Sequence, residues 1–194
     1  MVDKQQASYH HGDLPATLVR TAVEMLDEDG EVELSLRAVA RKAGVSSAAP
    51  YRHFPDRISL LSAVAAVGYQ ELMAGLAARH PEPASTTDLA DLAVAYVEFA
   101  LDRPGLFRVM FAEGCDRTSP DRVAAVDAIH AYLREAVGRV IETDDPAATA
   151  TGMWALVHGL AFLYLDGKLD ASSRKEVAAR IRQTVVAMQE ARSR

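Results

Sequence analysis

The stretch SLRAVARKAGVSSAAPYRHF, residues 35–54, constrains this chain more than any other. Helix-forming residues flank a glycine and two serines, and a proline follows four residues after Ser46. Two short helices meeting at a fixed tight turn satisfy that pattern. Ser35 is suited to cap the first, over residues 36–43, because its hydroxyl accepts from the N–H groups that open a helix. Gly44 stands where the helix stop requires a residue tolerant of positive φ. Ser46 or Ser47 caps the next helix, which ends near Phe54 and Pro55. With Ser46 as the cap, Pro50 forfeits only the first intrahelical bond, and the helix survives its proline.

Helical periodicity runs through almost all of the remaining chain, with no convincing strand, tandem repeat or low-complexity tract, so the expected fold is all-α. Upstream, Asp13 can cap a helix with Pro15 in its first turn; Leu18, Ala22, Met25 and Leu26 recur on one face, and Gly30 follows. Downstream, Asp56 starts a fourth helix running to about Arg79, with Leu60, Leu61, Val64, Val67, Leu72 and Leu76 as its apolar surface. A bracing helix followed by two short helices around a glycine-containing turn is a helix-turn-helix unit. Ala40 is small where the two helices cross, and Val45 plugs the core beneath the turn.

The second short helix is the expected reader of DNA. Ser46, Ser47, Ala48 and Ala49 open it and are small enough for close approach to base edges. Tyr51, Arg52, His53 and Arg57 offer hydrogen bonds or charge to phosphates, and Ser35 and Arg37 form a second anion-binding point at the preceding helix's N-terminus. The formal net charge of −6 opposes a polyanionic partner, but its distribution does not. Residues 35–57 carry Arg37, Arg41, Lys42, Arg52 and Arg57 against Asp56 alone, a net +4, which leaves −10 for the remainder of a chain at −6. A basic island on an acidic body suits contact with DNA at one place.

These residues carry a family resemblance. LRAVARKAGVSSAAPYRHFPDRISLL, with the preceding LVRTAVEMLDEDG, resembles the N-terminal domain of the tetracycline-repressor (TetR) family of bacterial transcription regulators over about residues 9–73. The resemblance implies that a helix over residues 47–53 lies in the major groove, with Tyr51 and His53 on the DNA backbone. Positions often occupied by glycine and threonine in that family are Ala48 and Ala49 here.

Past the turn-rich RHPEPASTT the chain changes character, which suggests a DNA-binding domain over 9–73 and a second helical domain over 74–194. Leu89, Leu92, Ala93, Tyr96 and Phe99 form one stripe; RPGLFRVMF reads as a break and a short helix; AEGCDRTSPD reads as a loop. Val126, Ile129, His130, Leu133, Val137 and Ile141 form another stripe. DPAATATGMWALVHGLAFLYLDG is apolar on nearly all faces, as expected of a helix buried from two sides. The last helix opens with a capping box, Ser173 to Glu176.

Trp154, His158 and Gly159, in the pattern W-x-x-x-H-G, are similar to a C-terminal ligand-binding domain found in a subset of TetR-type regulators. The wider resemblance implies that the helices near 147–166 and 174–192 pair with those of a second subunit, placing Leu160, Tyr164, Ile181, Val185 and Met188 in a homodimer interface, although the core of a single chain would produce the same stripes. A largely apolar small-molecule effector is expected among Tyr96, Phe99, Phe107, Met110, His130, Trp154 and His158. Aromatic and methionine side chains supply walls there, and the histidines supply orienting polar contacts.

Other chemistry finds little support. Asp127 and His130 give D-x-x-H, but matching carboxylate and histidine pairs on other helices are missing, so no metal is expected. His10 and His11 suit a solvated or phosphate-contacting arm. Cys115, the single cysteine, excludes an internal disulfide framework, and Glu113 and Asp116 oppose a reactive thiolate. The longest apolar runs, such as MWALVHGLAFLYL from Met153, fall short of the roughly 20 residues that span a bilayer, and MVDKQQASYHHGD has no signal-peptide character. The expectation is a cytoplasmic protein with no membrane partner. A Gly-rich phosphate loop, nucleophile elbow and zinc helix are all lacking, so neither an enzyme nor a cofactor is expected. The leading class is a dimeric, ligand-responsive regulator on a palindromic DNA operator, acting as a repressor. The alternative is a helical small-molecule enzyme or carrier without DNA binding.

Overall fold

The computed structural model of the chain describes residues 13–29, 34–111 and 114–192. Gly30, the His10 and His11 arm and Glu113 lie outside them. The described residues form eight helices and no strand: α1 (Leu14–Asp29), α2 (Leu36–Lys42), α3 (Arg57–Arg79), α4 (Thr86–Asp102), α5 (Pro104–Phe111), α6 (Pro120–Val140), α7 (Pro146–Leu165) and α8 (Arg174–Arg192). A 3₁₀ turn, Pro50–Arg52, falls between α2 and α3.

The ends of these helices follow from local side chains. The Ser35 hydroxyl accepts from the Ala38 N–H at 3.2 Å and starts α2. Gly44, at φ +71°, then ends it. Its N–H donates to the Arg41 carbonyl at 3.2 Å, and the Val45 N–H reaches back to the Ala40 carbonyl at 3.0 Å. That pair of bonds satisfies carbonyls the helix end would otherwise orphan. Asp56 and Ser59 cap α3 reciprocally, with the Ser59 N–H 2.8 Å from the Asp56 carboxylate. At the far end of α3, the Tyr132 hydroxyl of α6 donates to the His80 carbonyl at 2.6 Å.

One structural difference concerns the expected reading helix. Residues 46–54 wind as a tight 3₁₀-type turn: the Ala49 N–H donates to Ser46, Arg52 to Ala49 and His53 to Pro50, with one α-type bond from Phe54 to Pro50. Pro50 lacks the N–H that would continue an α-helix from Ser46, so the bond is made one residue earlier and the winding tightens.

The apolar core is one continuous cluster through both halves. Leu18, Ala22, Val39 and Ala40 are fully buried beneath the helix-turn-helix; Phe107, Met110 and Leu106 are fully buried in the body. The element joining them is α3, which buries Leu60, Val64, Leu72 and Leu76 and packs against α1, α4, α5 and α6. A division at 73/74 therefore falls inside a helix that belongs to both halves. Gly68 allows the closest approach: a Cβ there would stand 2.7 Å from both Cγ and Sδ of Met110 on α5.

Length also departs from the sequence reading. Both α3 and α7 are long and apolar enough to cross a membrane by length and composition, because alanines, threonines and a proline extend the bare apolar runs. More than half of that window in α3 is buried inside the protein, against 28% in α7. Helix α7 is thus covered on one side and open on the other. It buries Ala150, Val157, Leu160, Ala161 and Tyr164, while Gly152, Ala155, Gly159 and Leu163 face outward.

Candidate functional site

The helix-turn-helix presents a small, polar edge. Pro50 and Phe54 are buried and anchor the turn, leaving Ser46, Ser47, Ala48, Tyr51, Arg52 and His53 exposed; Ala49 is half-buried. Arg37 is exposed on the first turn of α2, whereas the Ser35 hydroxyl is engaged as that helix's cap. Two members of the basic island have structural partners. Lys42 pairs with Glu28 of α1. The Arg57 Nε donates to the Leu34 carbonyl at 2.6 Å, tying the start of α3 to the segment before α2. A charge count along the sequence cannot disclose either duty.

The body contains an aromatic cluster organised by one hydroxyl. Trp154 Nε1 donates to the Tyr96 hydroxyl at 3.2 Å, and that hydroxyl lies 3.0 Å from His158 Nδ1. The arrangement that satisfies all three groups has Tyr96 donating onward to Nδ1, so His158 carries its proton on Nε2. Burial lowers the His158 pKa and keeps the ring neutral near pH 7. Burial likewise pushes the Tyr96 hydroxyl far above its ordinary value. Phe111 stands 4.3 Å from the His158 ring centre and 4.9 Å from Phe107, with Phe162 on the other side of His158 at 4.9 Å.

In front of this layer lies a cavity of about 610 Å³, within the range of small-molecule sites. Its lining comprises Tyr69 of α3, Met110 and Phe111 of α5, Gly114, Cys115 and Arg117 of the following loop, Arg122, Val126 and His130 of α6, and Trp154 of α7. Of the seven residues expected to bind an effector, Met110, His130 and Trp154 line the cavity. Phe107 and His158 pack against its ring layer without lining it, and Tyr96 lines, with Trp154, a separate apolar pocket of about 50 Å³ among α3, α4, α6 and α7. His130 lies at an exposed rim rather than on a buried face, 5.4 Å from the Trp154 ring. Phe99 is half-buried on α4, outside both the ring cluster and the cavity lining. Sequence reasoning missed Tyr69, Phe111, Arg117 and Arg122. Phe111 was the accessible one, since it lies one turn beyond Phe107.

At Cys115 burial, rather than the neighbouring carboxylates, pushes the thiol pKa up, with Arg122 opposing, and the Sγ donates to the Val109 carbonyl at 3.4 Å.

Three fastenings join the body to α1 and α3, two of them from the cavity wall. The Asp116 N–H donates to the buried Ser62 hydroxyl of α3 at 2.7 Å. The Tyr69 hydroxyl of α3 donates to the Met110 carbonyl at 3.1 Å. Arg103, where α4 meets α5, clamps Asp27 of α1 at 2.6 and 2.9 Å and also pairs with Glu71 of α3. Asp27, with Glu71 adding to it, raises the guanidinium's pKa above its ordinary value.

The expected interface residues divide. Leu160, Tyr164, Ile181 and Val185 are buried within the single chain, where α7 and α8 pack on α4. These stripes serve the protomer's own core, and Arg182 fastens α8 to Asp91 of α4 at 2.7 Å. Met188 is 54% exposed, with Leu163 at 44% and Val186 at 36%. Gly152, Leu156 and Met188 border an apolar groove of about 400 Å³ between α7 and α8.

A helix-turn-helix with exposed small side chains, joined by one helix to a body with a cavity, defines a DNA-binding transcription regulator of the ligand-responsive kind. Residues 18–64 match the family model of bacterial regulatory proteins of the tetR family, and residues 89–188 match the tetracyclin repressor-like C-terminal domain. The second match alone spans more than half of the chain, and the protein belongs to the TetR family. It is a transcription factor and not an enzyme, which ends the enzyme alternative. The uncharacterized HTH-type transcriptional regulator YobS of Bacillus subtilis (strain 168) is 24% identical over 147 residues, 75% of this chain and 76% of YobS. A protein of unknown function from Rhodococcus sp. RHA1 is similar in structure, with a TM-score of 0.76 and 34% identity, covering 93% of this chain and 97% of that one. The TetR family regulator PfmR from Thermus thermophilus shares the fold at a TM-score of 0.63 and 19% identity, covering 87% and 96%.

Proposed function

We propose that this regulator is a homodimeric repressor that holds a palindromic operator and releases it when a small, largely apolar effector enters the cavity beside Trp154. In this reading Ser46, Ser47 and Ala48 approach base edges, while Tyr51, Arg52, His53 and Arg37 hold phosphates. The outward face of α7, with Gly152, Gly159 and Leu163, meets its twofold copy, joined by Val186 and Met188 of α8. Two reading turns then stand about 34 to 36 Å apart, or a multiple of this, to enter successive major grooves. The protein works in the cytoplasm, where the chromosome is accessible.

The observation that carries this reading is the fastening of the cavity's loop to α3, through Asp116 and Ser62, on the helix whose first residue ties down the start of α2. An effector that reshapes the loop moves α3, and a small rotation spoils both half-sites together.

The test is a gel shift with DNA from beside the protein's own coding region, followed by ligand screening by thermal shift. A salt-sensitive complex of two chains per site is expected. The ligand and operator should weaken each other's binding by one common factor, typically about 5- to 150-fold. Equal affinity for operator and random DNA, or ligand affinity indifferent to operator, would refute it.

A further inference from the structure

The cavity holds a positive charge that no carboxylate among the described residues pairs with. Arg122 lies in the first turn of α6, and its Nε is buried without a hydrogen-bond partner. Among the described residues, Arg103, Arg108, Arg174 and Arg182 each have a carboxylate partner, but none pairs with Arg122 or with Arg117 beside it. The helix does not compensate, since the first turn carries partial positive charge of its own. What surrounds it is neutral: the Tyr69 ring, whose centre lies 5.8 Å from the guanidinium carbon, and the Tyr69 hydroxyl and Cys115 thiol, which also interact with the guanidinium. Asp116 lies close enough to feel Arg122, but its carboxylate accepts from the Thr118 N–H at 2.8 Å and the Thr118 hydroxyl at 2.7 Å.

The rest of the lining is different in kind. Phe111, Met110, Val126 and Trp154 are apolar or aromatic, and His158 behind them is kept neutral by burial. A cavity cationic at one end and aromatic at the other matches neither a purely apolar molecule nor a free inorganic ion. We propose that the effector is an amphipathic organic anion, with a carboxylate, sulfonate or phosphate head on Arg122 and an aromatic or aliphatic body against Phe111 and Trp154. This rests on the cavity being the effector site, and it adds the effector's chemical class. It also supplies the direction of signalling. An anion drawn to Arg122 acts beside Cys115 and Asp116, the loop that Ser62 fastens to α3.

Trp154 is the chain's only tryptophan and lines the cavity, so its emission reports occupancy. The experiment titrates the full chain with two fluorescent probes that share an aromatic body: anilinonaphthalene sulfonate, which is anionic, and phenylnaphthylamine, which is not. Both should quench Trp154. Arg122→Gln should weaken the sulfonate by about 10- to 150-fold, the worth of one hydrogen bond to a charged group, and leave the neutral probe within about twofold. Arg122→Lys should recover part of the loss. If Arg122→Gln melts early, rising salt on the wild type gives the same reading, because only the sulfonate should lose affinity. Equal effects on both probes, or none on either, overturn the anion assignment while leaving the cavity as a ligand site. Displacement of the sulfonate by inorganic sulfate at equal concentration overturns the amphipathic requirement. A Trp154 silent to both probes overturns the cavity reading, and this proposal with it.

Discussion

Tyr96→Phe removes one oxygen and keeps the ring, so it isolates the hydroxyl that joins α4 to α7. In the wild type that oxygen accepts from Trp154 Nε1 at 3.2 Å and lies 3.0 Å from His158 Nδ1. The variant leaves an indole N–H and an imidazole nitrogen without their partner. A fully buried polar group in that position costs about 1 to 3 kcal/mol. Trp154 and His158 are only half-buried, so water can replace part of each bond, and about 2 kcal/mol for the pair is the reasonable expectation. For a chain of this length that corresponds to a fall in Tm of about 4 to 8 °C. Differential scanning fluorimetry measures the fall, and the tryptophan emission maximum reports the change at Trp154 independently. Tyr96→Leu should cost more, because the ring packs edge-on against Phe107 at 5.6 Å and its loss opens a hollow. A Tyr96→Phe protein with unchanged Tm and unchanged emission would mean that the hydroxyl does not organise the cluster.

Leu163→Arg places a charge on the outward face of α7, where the side chain is 44% exposed, so the fold should survive. Sedimentation should then show a folded monomer with lost operator binding, and a folded dimer with full affinity would count against the α7 interface. Arg52→Ala should weaken operator and random DNA alike and reduce the salt slope by about one unit without changing Tm. Arg57→Ala should lower Tm as well, since its Nε bond to Leu34 is lost; an unchanged Tm would show that this bond adds nothing to stability. The lowered pKa of His158 predicts a pH effect of defined sign. Above the unfolded value of about 6.5 both states are neutral and stability is full; as pH falls below it, the unfolded chain gains a proton the folded one resists, and Tm drops. His158→Asn should flatten that part of the Tm profile, and an unaltered slope would exclude His158 as its source.

What the sequence disclosed and what it hid divide by the range of the forces involved. Caps are local: Ser35, Gly44 and Asp56 act within a few residues, and each stands where its chemistry requires. Stripes are nearly as legible, because burial repeats with the helix, as in Leu18, Ala22 and Leu26. A stripe does not say against what it is buried, however. Ile181 and Val185 were expected to face a second subunit and instead face α4 of the same chain. The outward face of α7 is built from glycines, an alanine and Leu163, which reads as weak patterning although it is the open surface. The cavity was the least legible part, because it takes residues from α3, α5, α6, α7 and one loop. Arg122 looks in sequence like an ordinary solvated arginine, and only the fold shows its Nε sealed from water.

Helix α3 resolves how the basic helix-turn-helix face and the body behind it act as one molecule. Its N-terminal turns carry Arg57 and Ser62, which hold the segment before α2 and the loop before α6. Its middle carries Gly68 and Tyr69, both against Met110 of α5. The four residues lie within about thirteen positions, less than four turns of one helix. So short a helical span is stiff, and the proposed mechanism therefore expects a movement at Met110 or Asp116 to be felt at Arg57. Gly68 is the point at which that transmission is most constrained. With no Cβ, α3 sits directly on the Met110 side chain, and the cavity that Met110 lines has no compliant layer between it and the helix that reaches the DNA-reading turn.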